Sequence, residues 1–118
     1  MNRIAATFSK LKSANQKVLI PFITAGDPKP EVTVPLMHTL VKAGANLIEL
    51  GVPFSDPMAD GPAIQQAHER ALKNHIHLQD IFKLVARVRA KTQIPILIMG
   101  YLNPVMQFGY KKFSDAAA

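Results

Sequence analysis

The sequence predicts an α/β fold built on a parallel sheet, and three features lead to that prediction. Almost continuously apolar runs of strand length recur at 18–24, 46–52 and 94–101, as expected of strands covered on both faces. Each run is followed by a segment with helical apolar spacing, and such alternation favours parallel strands with right-handed crossovers. Polar residues collect directly after the strands, where (β/α) barrels and doubly wound sheets both carry their sites.

Ahead of the first strand, the apolar spacing of residues 2–14 predicts an amphipathic helix with Asn2 as its N-cap. The first strand is expected over 18–24. Pro21 lacks the N–H that a central antiparallel strand would need, so the strand is irregular there. The stretch 25–30 holds Gly, Asp and Pro residues, a composition typical of a turn.

The next unit combines a helix over 31–43 with a strand over 46–52. Gly44 is a suitable residue to end the helix, because glycine adopts the left-handed conformation common at helix C-termini. Pro35 is tolerated in a first turn, so it favours a regular helix that begins only a residue or two before it. The strand carries Glu49 in its middle, an unusual residue in an otherwise apolar run.

The rest of the chain repeats this alternation. Apolar stripes predict a short helix over 64–73 and a longer one over 78–91, and the third strand is expected over 94–101. Residues 105–113 are mixed in character and fit a helical turn, and residues 114–118 open a further helix.

Length and composition narrow the possible functions. The chain has 118 residues, 48% of them hydrophobic, which suits one domain with an apolar core. It has no Cys and no apolar run of the ~20 residues that cross a membrane, so a cytoplasmic protein without a thiolate metal site is expected. The net charge is +6, but the basic residues lack the interleaved aromatic residues of a single-strand nucleic-acid binder.

Two acids are the candidate catalytic residues. Glu49 lies inside an apolar strand, where desolvation disfavours the charged form of a carboxyl group and suits it to proton transfer near neutral pH. Asp60 stands on the following loop, 53–60, and two acids in unlike environments can divide acid–base work. A structural role is the alternative for both, with Glu49 in an ion pair and Asp60 as the N-cap of the helix that begins near Gly61.

The position of polar residues at the strand ends favours the catalytic interpretation. Thr24, Glu49 and Tyr101 all fall at carboxyl ends of predicted parallel strands. No GxGxxG motif follows the first strand, so a dinucleotide-binding fold is disfavoured. The histidines have no metal-ligand spacing and are expected on the surface. They are His38, His68, His75 and His77.

Three stretches of the sequence resemble a known family. They are PFITAGDP at 21–28, KAGANLIELGVPFSDPMADGPAIQQA at 42–67 and PILIMGYLNPV at 95–105. They are similar to the alpha subunit of tryptophan synthase, for which the middle stretch is a specific signature. The resemblance implies a (β/α)8 TIM barrel, of which this chain holds the first three βα units after an N-terminal helix. Residues 1–118 are then expected to form the N-terminal part of a single, incomplete barrel domain.

The resemblance also implies a reaction. The family cleaves indole-3-glycerol phosphate to indole and glyceraldehyde 3-phosphate in tryptophan biosynthesis, a retro-aldol lyase reaction without a metal or organic cofactor in this subunit. The acid at the Glu49 position acts in the family as general acid and base. The acid at the Asp60 position holds the indole N–H and stabilises the charge that develops there. Proton transfer suits an acid on a rigid strand, and electrostatic stabilisation suits an acid on a loop.

Further residues are assigned by the resemblance to the substrate and to a partner. The positions that match the lining of the indole pocket are Phe22, Met99 and Tyr101, with Met99 in place of the leucine often found there. The region that resembles the docking face for the beta subunit includes Pro53, Asp56 and Asn103. That partner carries pyridoxal phosphate and consumes indole in an alpha2beta2 heterotetramer. Neither nucleic acid nor a membrane is expected as a partner.

Three strands do not close an eight-stranded barrel, and two expectations follow. The later phosphate-binding loops and the tyrosine that works beside the two acids are missing, so the 118 residues alone are expected to have little or no lyase activity. An inward apolar row is expected to face water, at a cost of several kcal/mol at ~25 cal/mol per Å². Two alternatives to the lyase stay open: a non-catalytic module that binds a partner, and another phosphate-sugar aldolase or isomerase on the same barrel. The residues of the inward row are Ile20, Phe22, Leu47, Leu97 and Met99.

Overall fold

A computed structural model describes the protein over all of residues 1–118 and shows three strand–helix units after an N-terminal helix. Asn2 caps the first helix as predicted, because its side chain accepts a hydrogen bond from Ala5 N at 2.8 Å. None of the helices has the length and apolar character needed to cross a bilayer. The elements are α1 (Arg3–Ser13), β1 (Phe22–Thr24), α2 (Pro30–Lys42), β2 (Ile48–Gly51), α3 (Pro62–Leu72), α4 (Leu78–Arg89), β3 (Ile96–Met99), α5 (Leu102–Phe108) and α6 (Tyr110–Ala117).

The strands form one parallel sheet in the order β1-β2-β3, which confirms the predicted parallel α/β architecture. Side chains alternate between the two faces of a strand, so residues aligned across parallel strands share a face. One face therefore carries both Glu49 and the residues around it, and the other carries Ile48 and Leu50. The sets aligned on the first face are Phe22–Glu49–Leu97 and Thr24–Gly51–Met99.

The hydrophobic core lies between the second face of the sheet and the helices. Ile48 and Leu50 have no exposed surface there and pack in one cluster with residues of α2 and α4. The opposite face is open, as predicted, since Leu97 and Met99 are 42% and 48% exposed. Leu47 departs from the predicted exposed row, because it lies ahead of the first residue of β2 and is only 4% exposed.

The strand β1 is shorter than the predicted 18–24, and missing donors explain why. The carbonyls of Leu19 and Pro21 accept bonds from Asn46 N and Glu49 N, each at 2.9 Å, so this segment already lies along the second strand. However, Leu19 N donates to the Asn46 side chain at 2.8 Å, and Pro21 has no N–H to donate. The regular ladder therefore begins only after Pro21.

Two predictions of helix boundaries were wrong. The helix α2 begins at Pro30, so Pro35 lies beyond its first turn, and burial of neighbouring residues on α2 keeps the helix continuous despite the missing N–H. The helical turn expected over 105–113 begins earlier, because α5 starts at Leu102 and holds Asn103, with Pro104 in the first turn that tolerates it. Gly109, with φ of 96°, separates α5 from α6.

Candidate active site

Asp60, at the end of the loop between β2 and α3, is held by side chains from two other parts of the chain. The hydroxyl of Tyr101, which follows β3, donates to Asp60 Oδ2 at 3.0 Å. His68 Nε2, on α3, lies 3.2 Å from the same oxygen. The second oxygen, Oδ1, has no donor from the protein. The alternative role of Asp60 as an N-cap is wrong, because the N-cap of α3 is Gly61.

His68 was predicted on the surface, but it is only 3% exposed. Its Nδ1 accepts a hydrogen bond from Phe54 N at 2.9 Å, so that nitrogen carries no proton. The neutral ring therefore has its proton on Nε2, which faces Asp60. His68 is buried because it lies on the same helical stripe as Ala67 and Ala71, which are also buried. That spacing was the sequence signal for its burial.

The other histidines have no contact with this cluster. His75 and His77 are exposed, as predicted, and His38 is partly buried on α2. At the start of α4, the backbone N–H of His77 donates to Asp80 Oδ2 at 3.0 Å.

Tyr101 ties the loop to the end of β3. Its hydroxyl accepts from Ala59 N at 3.0 Å while it donates to Asp60, and its ring stacks on Phe54 with the centroids 5.2 Å apart. Desolvation raises the pKa of Tyr101 above its ordinary value, and the neighbouring Asp60 carboxylate raises it further, against an opposing effect of the Ala59 N–H. The hydroxyl therefore keeps its proton at neutral pH and acts as a donor.

A cavity of ≈ 170 Å³ lies beside Asp60. It brings together four predicted site residues, since Phe22, Asp60, Met99 and Tyr101 all line it. The wall is thus apolar and aromatic, with one carboxylate. The rest of the lining was not predicted from the sequence and consists of Gly51, Ala59, His68 and Gly100.

Glu49 lies on the cavity side of the sheet but does not line the cavity. It is partly buried and aligned with Phe22 and Leu97. The next residue on the same face is Gly51, one pleat or ~7 Å further along β2, and it does line the cavity. No Lys, Arg or His of residues 1–118 forms an ion pair with the carboxylate of Glu49.

Gly51 sets how closely the aromatic wall approaches the sheet. A Cβ at this position would lie 2.7 Å from Phe22 Cζ, a separation that real Cβ atoms do not show. The ring of Phe22 thus packs directly over the β2 backbone, in space that only glycine leaves free.

The three residues predicted to face a partner line one surface groove. This groove, of ≈ 550 Å³, runs between the β2–α3 loop, the start of α4 and α5. Pro53 is buried in its wall, whereas Asp56 and Asn103 are exposed. The structure therefore brings the three together, and their contact with a partner stays a prediction.

Parallel βα units with two acids toward the carboxyl side of the sheet define an α/β protein with a candidate acid–base site. Comparison with known families identifies which α/β protein it is. The family model described as the tryptophan synthase alpha chain matches residues 8–118, and the chain belongs to that family.

Relatives from several organisms share this sequence and fold. The tryptophan synthase alpha chain from Nitrosomonas europaea is 60% identical over 118 residues, which are 99% of this chain and 43% of that one. The crystal structure of tryptophan synthase subunit alpha from Legionella pneumophila str. Paris matches with a TM-score of 0.97 at 54% identity, over 99% of this chain and 45% of that chain. A chain of the tryptophan synthase complex from Pyrococcus furiosus matches with a TM-score of 0.80 at 44% identity, over 85% of this chain and 41% of that chain.

The comparisons settle the fold that the resemblance implied. The three-stranded sheet with its helices is part of a (β/α)8 TIM barrel. The chain spans less than half the length of the relatives it matches.

Proposed function

We propose that residues 1–118 are the N-terminal part of a single barrel domain, and that the whole protein is the lyase that cleaves indole-3-glycerol phosphate. The observation that carries this proposal is the ≈ 170 Å³ cavity in which Asp60 is fixed beside Phe22 and Met99. Apolar walls with a single carboxylate suit a flat aromatic heterocycle that has one N–H. Membership of the tryptophan synthase alpha chain family supports the same substrate over other phosphate sugars.

In this proposal Asp60 stabilises charge on the indole ring. Its Oδ1, which no protein group occupies, accepts the indole N–H. Protonation of the ring carbon that bears the side chain places positive charge on the indole nitrogen. A fixed carboxylate at that nitrogen stabilises the charge without having to reorganise.

Glu49 is the proposed proton carrier. It gives a proton to the substituted ring carbon and takes one from the glycerol hydroxyl. The C–C bond then breaks, its electron pair returns to the ring to form indole, and the hydroxyl carbon becomes the aldehyde of glyceraldehyde 3-phosphate. The position of Glu49 on a regular strand, on the face of the sheet that carries the cavity, supports this role.

The groove lined by Pro53, Asp56 and Asn103 is the proposed contact with a beta subunit in an alpha2beta2 assembly. Its position beside the loop that carries Asp60 supports this assignment, since indole would leave the alpha site at that edge. The alpha subunit would need no cofactor, and pyridoxal phosphate would belong to the beta subunit. A cytoplasmic location is proposed together with this biosynthetic role.

The test uses a completed chain, in which residues 1–118 are joined to the remaining segment of the Nitrosomonas europaea alpha chain. Indole release from indole-3-glycerol phosphate is expected, and Glu49→Gln should lower it by about 100-fold or more, the usual contribution of a general acid or base. Glu69→Gln, at an exposed glutamate of α3, is the matched control and should retain full turnover.

Circular dichroism and melting curves show whether each variant is folded. Full turnover by a folded Glu49→Gln chain would contradict the proposed role of Glu49, and no indole release by the folded, unsubstituted chain would favour the non-catalytic module. Residues 1–118 alone should release no indole, because the cavity side of the sheet is open to water at Leu97 and Met99. Indole release by them at ordinary enzyme rates would contradict this expectation.

A further inference from the structure

We propose that His68 is a positioning residue that fixes both ends of the loop 53–60 and thereby sets the orientation of the Asp60 carboxylate. The inference rests on the proposed function, because it assigns His68 a part in charge stabilisation by Asp60. His68 does not reach the reacting atoms in this scheme. It acts on the reaction through the acid that it holds.

The two ring nitrogens of His68 contact opposite ends of the same loop. Nδ1 accepts from Phe54 N at 2.9 Å near the start of the loop, and Nε2 lies 3.2 Å from Asp60 Oδ2 at its end. The ring is 3% exposed and belongs to the regular helix α3, so it is a rigid point of attachment. Gln65, one turn earlier on α3, adds a bond from its side-chain nitrogen to Asp60 O at 2.7 Å.

Only one form of the imidazole ring satisfies both contacts. The neutral ring protonated at Nε2 accepts from the Phe54 N–H and donates to the carboxylate. The other neutral tautomer would set an N–H against an N–H at Phe54 and a lone pair against the carboxylate at Asp60. A doubly protonated ring would lose the bond to Phe54. The structure therefore specifies the tautomer as well as the contacts.

The consequence for the reaction is geometric. Tyr101 and His68 both donate to Oδ2, and their two directions fix the plane of the carboxyl group and leave Oδ1 free. If the donor from His68 is lost, a single contact remains and the carboxyl group can turn about it. Charge on the indole nitrogen develops in the transition state, so this loss should lower kcat more than it raises KM.

Two substitutions separate the two ring contacts. The Gln side chain can place its amide N–H near the position of Nε2, and the Asn side chain can place its carbonyl oxygen near the position of Nδ1. In the completed chain, His68→Gln should keep most of the activity. His68→Asn should lower kcat about tenfold, the effect of losing one hydrogen bond to a charged group.

His75→Asn, at an exposed histidine, is the control and should leave kcat unchanged. Equal kcat values for His68→Asn and the unsubstituted chain, or an equal fall in both His68 variants, would overturn the proposal.

A second measurement does not depend on the variants folding well. NMR of the completed chain with ¹⁵N-labelled histidine reports which ring nitrogen carries the proton, and the signal of His68 is the one that disappears in His68→Gln. We expect a protonated Nε2 and an unprotonated Nδ1 at neutral pH. Normal indole release with the opposite tautomer or a doubly protonated ring would refute the role of His68. No indole release by the folded, unsubstituted chain would instead refute the proposed function.

Discussion

Replacing Gly51 by Ala tests how closely the sheet and the aromatic wall of the cavity fit together. The new Cβ would lie 2.7 Å from Phe22 Cζ, 3.0 Å from Phe22 Cε2 and 3.3 Å from the carbonyl oxygen of Ile23. The Ile23 backbone is paired in the sheet and cannot move away, so the Phe22 ring must turn. Overpacking of this kind costs about 1–3 kcal/mol, because the ring must leave the position in which it packs over β2.

Urea unfolding of the completed chain measures this cost, and a double-mutant cycle shows its origin. Phe22→Leu removes the two ring atoms that the new Cβ would meet, so Gly51→Ala should cost less in that background, with a coupling of about 1 kcal/mol. Additive costs of the Gly51 and Phe22 changes would refute the steric argument, even if Gly51→Ala alone is destabilising.

Two more predictions concern Tyr101 and the start of α4. The phenolate absorbance of Tyr101, identified by its loss in Tyr101→Phe, should appear above the ordinary pKa of 10.0. The pKa of Tyr101 is raised in the folded state, so the contribution of its protonated hydroxyl to stability is complete below the pKa of the unfolded chain. That contribution is lost as the pH rises through the pKa of the folded chain. A midpoint of the Tyr101 absorbance at or below 10.0 would contradict this prediction. Asp80→Ala removes the acceptor for His77 N at 3.0 Å and should lower the unfolding free energy by about 1 kcal/mol. Asp80→Asn keeps an acceptor, so an equal loss in both variants would be inconsistent with a contribution from this hydrogen bond.

The sequence predicted the order of the elements, because that order depends on strong local periodicities. Half of the cavity lining was also predicted: Asp60 from its place after the second strand, and Phe22, Met99 and Tyr101 from the resemblance to the family. The ends of a strand depend on which backbone N–H groups can donate to the neighbouring strand. Because Pro21 has no N–H, β1 is shorter than the apolar run at 18–24 predicts. His68 was missed because its polarity argued for the surface, and its two partners come from a loop that only the tertiary fold brings to α3.

The two acids differ in how they are held, and this difference is the strongest structural argument for unlike tasks. Asp60 receives two donors at Oδ2, and its backbone carbonyl is bound by Gln65. A group that stabilises charge acts best when it is already fixed in place. Glu49 has a fixed backbone within β2, and no residue of 1–118 forms an ion pair with its carboxylate. In the proposed reaction Glu49 serves a ring carbon and a hydroxyl in turn, and a firm partner would hold its carboxyl group at only one of them.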